Sequence, residues 1–184
     1  MKEVNWDLLS NKYAICLCGV DNYCRCGPSV ATDIVAFLPG DRYIILVERK
    51  APPFGLACVG GFVEVGESIE EAAVREYAEE THLEITDLHQ VHTFSNPYQD
   101  PRRTAVSTVF IASLNPQKYK HLNKDNFESL TSAGDDAKKL VLMSIEDALQ
   151  ILTYKFDNVF GFECHRRFIY DAVKFKLEYD NERS

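Results

Sequence analysis

Three glutamates, Glu76, Glu79 and Glu80, stand close together in the stretch Arg75-Glu76-Tyr77-Ala78-Glu79-Glu80. Their spacing is i, i+3 and i+4. On a helix that turns about 100° per residue they share one arc roughly 100° wide. Like charges at that spacing repel by a few tenths of a kcal/mol per pair, so the helix gains nothing locally from the cluster. Something positive must compensate it. Arg75 can pair with Glu71 or Glu79, each four residues away. A hard divalent cation such as Mg²⁺ can take the remaining oxygens and hold substrate phosphate at its open positions. Glu67 lies one turn before the helix, and Gly60-Gly61 lets backbone approach closely enough for a carbonyl to join the ligand set. The alternative is a solvated acidic face with no ligand.

The helix that must carry these acids is the clearest element of the chain. Ser68 and Glu71 form an S-x-x-E capping box, and Ile69, Ala73 and Tyr77 recur at four-residue spacing, which predicts a helix over 69–81 with one buried stripe. Upstream, 29–38 and 43–49 are strand-like and separated by the turn cluster Pro39-Gly40-Asp41; a short strand at 56–59 runs into Gly60-Gly61. Strands are expected near 84–95, 104–113 and 139–143. The polar stretch from Asn115 to Lys139 reads as a long loop or irregular insert. Ser144 with Asp147 fits another helix start, and a further helix is expected over 159–177 with Phe160, Phe168, Ile169, Ala172, Val173 and Phe175 in the core. Cys58 and Cys164 read as core residues. Strands mixed with helices in this order predict an α/β sandwich with a mixed sheet.

The wider pattern is G-x5-E-x7-R-E-U-x-E-E-x-G-U, where U is bulky and apolar. Gly61, Glu67, Arg75, Glu76, Tyr77, Glu79, Glu80 and Leu83 match it, and the segment resembles the signature of the Nudix hydrolases. Two positions depart: His82 stands where the family usually has glycine, and Tyr77 is large for the aliphatic slot. Val59 also replaces the proline common before the glycine pair. The resemblance implies an α/β/α sandwich and hydrolysis, with Mg²⁺ or Mn²⁺, of a nucleoside diphosphate linked to another group. It implies that Glu76, Glu79, Glu80 and the Gly60 carbonyl are metal ligands. Glu67 would order the loop or bind metal through water, and Arg75 would brace a ligating glutamate. The general base would come from the box or from a loop outside it; Asp135 and Asp136 are the loop candidates, with Glu128 a third.

The flanks bear on substrate. Phe94-Ser95-Asn96-Pro97-Tyr98-Gln99-Asp100-Pro101-Arg102 is similar to the F-S-x-P-x-R-D-P-R stretch of ADP-ribose pyrophosphatases, with Gln99 replacing an arginine. Val47-Glu48-Arg49-Lys50 and Gly134-Asp135-Asp136-Ala137 also resemble that subgroup. Substrate contacts are therefore expected at Arg49, Pro97, Tyr98, Asp100 and Arg102. Each has a plainer reading: Arg102 can fork onto phosphate or pair with Asp100, Tyr98 can stack adenine or sit exposed on a proline turn, and Arg49 can be a strand-end charge. The expected reaction is ADP-ribose to AMP and ribose 5-phosphate. The alternatives are NADH, a nucleotide sugar, an oxidised nucleoside triphosphate, or an ADP-ribose-sensing module that does not cut its ligand.

The chain has 184 residues, 46% hydrophobic and 26% charged, which suits one domain and excludes a mostly disordered chain. Residues 28–178 are read as the catalytic domain and 1–27 as an extension. Twenty basic against 28 acidic residues leave a net charge of −8, against nucleic acid as a main partner. No apolar run approaches a membrane span and the first residues lack a signal-peptide core, so a cytoplasmic protein is expected. Cys16, Cys18, Cys24 and Cys26 form two C-x-C pairs. Three readings stay open for them: a structural Zn²⁺ site, reduced structural thiols, or redox chemistry. A homodimer is implied by the family resemblance alone.

Overall fold

The computed structural model describes residues 27–40, 42–134 and 137–183. Cys16, Cys18, Cys24 and Cys26 lie outside the described residues, as do Asp135 and Asp136. Among the described residues, seven strands form one mixed sheet: β1 (Ser29–Phe37), β2 (Tyr43–Arg49), β3 (Leu56–Ala57), β4 (Val59–Phe62), β5 (Ile85–Phe94), β6 (Ala105–Leu114) and β7 (Ala137–Ser144). The helices are α1 (Ile69–Thr81), α2 (Pro116–Tyr119), α3 (Phe127–Leu130), α4 (Ile145–Leu149) and α5 (Cys164–Asn181), with a 3₁₀ turn at Tyr154–Phe156.

The main path of the sheet is β3-β2-β1-β6-β5. The β1–β6 pair is parallel, from Ser29 opposite Ala105 to Phe37 opposite Ser113, and the other pairs are antiparallel. The second edge of β1 is divided. Its first half pairs with β4, Ile34 opposite Val59, and its end pairs with β2, Ala36 opposite Ile45. Cys58 is the residue at which the chain leaves β2 for β1.

Alternation along β1 sends its side chains into two cores. Ile34, Ala36 and Leu38 pack with Ala73 and Tyr77 of α1, whereas Val35 and Phe37 pack with Phe168, Ile169, Ala172 and Val173 of α5. The sheet therefore lies between α1 and α5, the α/β/α arrangement expected from the sequence.

Three expected boundaries move. The last helix begins at Cys164, not 159: Phe160 is buried in a bridge to Leu56, and the Gly161 N–H donates to the Leu56 carbonyl at 3.0 Å. The apolar run there extends the sheet rather than a helical stripe. The polar stretch after Asn115 contains α2, which Asn115 caps, and α3, whose Phe127 is buried. Finally, β7 begins at Ala137 because it pairs with β2 as far as Arg49.

Candidate active site

Helix α1 starts as the sequence predicts. The Ser68 hydroxyl accepts the Glu71 N–H at 3.2 Å, and the Glu71 carboxylate accepts the Ser68 N–H at 2.7 Å. It ends on His82, whose φ of 55° and ψ of 21° place it in the left-handed region while its N–H bonds the Ala78 carbonyl at 2.9 Å. Tyr77 is fully buried under the sheet, and its hydroxyl has no hydrogen-bond partner among the described residues.

The capping box occupies Glu71, so Arg75 turns elsewhere. Its guanidinium holds Glu67 (2.6 and 3.0 Å), Glu76 (2.9 Å) and Glu79 (3.2 Å), and donates to the Phe62 carbonyl at 3.1 Å. One cation thus gathers three carboxylates from the loop and the helix. Glu67 also accepts the Glu64 N–H at 2.7 Å, which closes the loop between β4 and α1. Hydrogen bonding from Arg75 holds the Glu67 carboxyl below its ordinary range against the effect of burial. Glu76 moves the other way: burial raises it, the nearby Glu79 and Glu67 add to the rise, and Arg75 opposes it. Glu80 accepts the Gly60 N–H at 3.3 Å, which brings β4 against α1. Gly61 makes this approach feasible, because a Cβ there would lie 2.3 Å from the Glu76 carboxylate.

Arg75 thus links Glu67, Glu76 and Glu79, and the Gly60 N–H links Glu80 to β4. Gly134 packs on the end of α1, its N–H on the Glu80 carbonyl at 2.7 Å; an added Cβ would sit 1.9 Å from the Glu79 carbonyl oxygen. The third base candidate, Glu128, is exposed on α3.

Beside this cluster lies an open cleft bounded by β1, β4, the 95–104 loop, β6 and the start of α5. Arg49, Asp100 and Arg102, three of the expected substrate contacts, line it. The guanidinium groups of Arg49 and Arg102 lie 4.9 and 5.0 Å from the Phe162 ring centre. Arg102 forks onto Asp100 at 2.8 and 3.0 Å. Burial would raise the Asp100 carboxyl, but these bonds and the Arg102 backbone N–H hold it below its ordinary value. Arg49 donates to the Pro53 carbonyl at 2.9 Å.

Pro97 and Tyr98 are not part of the lining. Tyr98 is 89% exposed on the outside of the turn that the Gln99 N–H closes onto the Asn96 carbonyl, whereas the next residue on the loop faces in. That residue, Gln99, anchors the loop: its amide donates to the Phe94 and Ala105 carbonyls at 3.1 and 3.0 Å. The arginine that Gln99 replaces has thus given way to a neutral staple. Asp33, Ser107, Phe162 and His165 are among the lining residues that sequence reasoning did not single out as site residues. The signal available was Asp33 within the apolar strand run. Cys58 is buried and Cys164 half-buried; burial raises both thiols, that of Cys164 to about 12, which makes them poor nucleophiles.

The family model for the NUDIX domain matches residues 27–160, most of the chain. The chain belongs to the Nudix family. A curated relative, the ADP-ribose pyrophosphatase of Methanocaldococcus jannaschii, is 34% identical over 151 residues, 81% of this chain and 75% of that protein. The NAD-capped RNA hydrolase NudC of Photorhabdus laumondii is 34% identical over 109 residues, but those cover 58% of this chain and 40% of NudC. Among solved structures, the NUDIX domain of Shewanella oneidensis NrtR, in complex with ADP ribose, aligns over 85% of this chain and 94% of that one with a TM-score of 0.63 at 20% identity, which shows the fold. A MutT/nudix family protein from Enterococcus faecalis aligns over 83% of this chain and 63% of its own with a TM-score of 0.60 at 25% identity. This Nudix hydrolase therefore keeps the acids of the box, and its departures at Tyr77 and His82 remove none of them. Among the described residues, no helix is long and apolar enough to cross a membrane.

Proposed function

We propose that this Nudix hydrolase cleaves the pyrophosphate of ADP-ribose to AMP and ribose 5-phosphate, with Mg²⁺ or Mn²⁺. The observation that carries this reading is the gathering of the box carboxylates around Arg75 and the Gly60 amide at the edge of a cleft walled by two guanidinium groups. The chemistry of the donors suits a hard divalent ion: carboxylates of Glu76, Glu79 and Glu80 carried by one helix, with the backbone carbonyl of Gly60 as a further oxygen donor. That Gly61 has no room for a Cβ beside Glu76 fits the same purpose. A bound divalent ion would neutralise the diphosphate and lower the pKa of an attacking water.

The protein's own residues do the positioning, which dominates substitution at phosphorus. Arg75 keeps three carboxylates from repelling one another apart. Glu67 fixes the loop that presents Gly60 and Gly61. Arg49 and Arg102 supply positive charge for the substrate phosphates, and Asp100 holds the Arg102 fork in place. The base is proposed to be Glu79 or one of Asp135 and Asp136; Glu79 is the most exposed of the Arg75 partners, and Gly134 against the end of α1 supports the loop candidates.

The test is phosphate-ester release from ADP-ribose with Mg²⁺ and with Mn²⁺, wild type against Glu80→Gln. We expect turnover by wild type and at least a hundredfold loss in the variant. Wild-type inactivity across nucleoside-diphosphate derivatives with either metal refutes the reading. A second reading, a substrate that carries an NAD-type dinucleotide, is supported by the relatives named NAD-capped RNA hydrolase; comparing kcat/KM for NADH and ADP-ribose separates the two.

A further inference from the structure

The floor of the cleft carries a polar group that the proposed chemistry does not use. Asp33 from β1, Ser107 from β6 and His165 from α5 are all more than nine-tenths buried, and all line the cleft. The Ser107 hydroxyl donates to Asp33 Oδ2. The Cys58 N–H, at the point where the chain changes strands, donates to His165 Nδ1 at 2.9 Å. Nδ1 is therefore the unprotonated nitrogen, and the proton of the neutral ring sits on Nε2. Burial, which lowers the affinity of His165 for a second proton, agrees with the neutral form.

Nε2 lies 3.4 Å from Asp33 Oδ1, longer than a good N–H···O bond. By distance alone Asp33, Cys58 and His165 could share a metal ion. The tautomer speaks against that: Nδ1 already accepts a hydrogen bond, so ligation through Nε2 would require an imidazolate. What remains is one donor and one acceptor side by side, both turned to the cleft. Neighbouring hydroxyls of a sugar ring present the complementary pair, one accepting and one donating, and a carboxylate is a general acceptor for ribose hydroxyls. A flat base edge also offers a donor beside an acceptor, but the aromatic faces at this depth are taken: His165 lies between Phe162 and Phe168 at 5.0 and 5.2 Å, and the two arginines cover Phe162.

We propose that Asp33 and His165 form a sugar-diol subsite, in which Asp33 Oδ1 accepts from one hydroxyl and His165 Nε2–H donates to its neighbour. Both are specificity-determining residues, with Ser107 and the Cys58 amide fixing their orientation. This rests on the proposed reading of the cleft as the nucleotide site. Because ADP-ribose carries two riboses, the experiment distinguishes them.

Binding to the Mg²⁺-loaded protein is measured by calorimetry for ribose 5-phosphate against 2-deoxyribose 5-phosphate, and for AMP against 2′-deoxy-AMP. One pair, belonging to the sugar that occupies the floor, is expected to differ at least tenfold in affinity. Asp33→Asn keeps an oxygen for Ser107 but turns an NH₂ to the cleft, and should reduce that difference to less than twofold. Asp33→Ser is made in parallel, and thermal melts select the variant that folds. Equal affinities within both pairs overturn the subsite. So does a hydroxyl preference that survives in a folded Asp33 variant, or a preference for AMP over IMP that the Asp33 variant alone abolishes. ADP-ribose hydrolysis is assayed on the same preparation: its absence counts against the proposed function, whereas hydrolysis without hydroxyl discrimination counts against the subsite alone.

Discussion

Adding one methyl group to the chain at position 61 tests whether the carboxylates must sit where they do. A Cβ on Gly61 would stand 2.3 Å from Glu76 Cδ and Oε1 and 2.5 Å from Oε2. The carboxylate would have to retreat by about 1 Å to reach ordinary contact, and a misplacement of that size is worth on the order of a hundredfold in rate. The end of a glutamate side chain can move at little cost, so the fold should tolerate Gly61→Ala with a loss of about 1 kcal/mol or less. Gly66→Ala makes the contrast. Gly66 has φ of +95° with nothing within 4 Å of a Cβ, so alanine there is strained without touching a carboxylate. It should cost about 1 kcal/mol and lower Tm by roughly 2–4 °C for a domain of this size, with kcat nearly unchanged. The assay is kcat for ADP-ribose at saturating Mg²⁺ with melting curves for both variants. Wild-type kcat in a folded Gly61→Ala protein would refute the argument that the Glu76 position matters. Equal loss of kcat in both variants would show that loop distortion, not the carboxylate contact, is responsible.

Other substitutions have definite expected outcomes. His82→Gly relieves the left-handed residue at the end of α1 and should raise stability by about 0.5–1 kcal/mol in urea unfolding. Tyr77→Phe deletes a buried hydroxyl that has no partner among the described residues, so it should be neutral or stabilising by up to about 1 kcal/mol, against the usual destabilisation on altering a fully buried aromatic. Arg102→Ala should raise KM for ADP-ribose at least tenfold with a smaller change in kcat, whereas Tyr98→Ala, on the exposed outside of the loop, should leave both within twofold. Treatment with a chelator should abolish turnover, and Mg²⁺ or Mn²⁺ should restore it; activity that persists without divalent ions contradicts the assignment of the carboxylates.

Much of the box was legible because its logic is local. Ser68 and Glu71 announce the start of α1, four-residue spacing announces its buried stripe, and the repulsion among Glu76, Glu79 and Glu80 calls for a cation. The partners of Arg75 were legible only in part: the four-residue spacing to Glu79 holds, at 3.2 Å. Spacing offered Glu71, but the capping box had claimed that side chain, and a folded loop brought Glu67 back to take its place. The start of α5 was misplaced because an apolar run has no period that separates a strand-like bridge at Phe160 from a helical turn. The cleft floor was least legible of all. Asp33, Ser107 and His165 are far apart in sequence and each is unremarkable alone; the parallel pairing of β1 with β6 and the packing of α5 across them bring the three together.

That parallel pairing has a consequence for how the molecule comes into being. Everything from Ser29 through the carboxylate helix is synthesised before Ala105, so the ladder that completes β1 waits on a partner more than seventy residues downstream. Closing so long a loop costs entropy before any contact repays it, which makes this step a natural bottleneck of folding. Until then β1 keeps an open edge and the two-sided core has only one face filled. A chain halted after α1 would carry every acid of the box and the strand β4 they lean on, and still lack β6, the parallel neighbour that covers the other edge of β1.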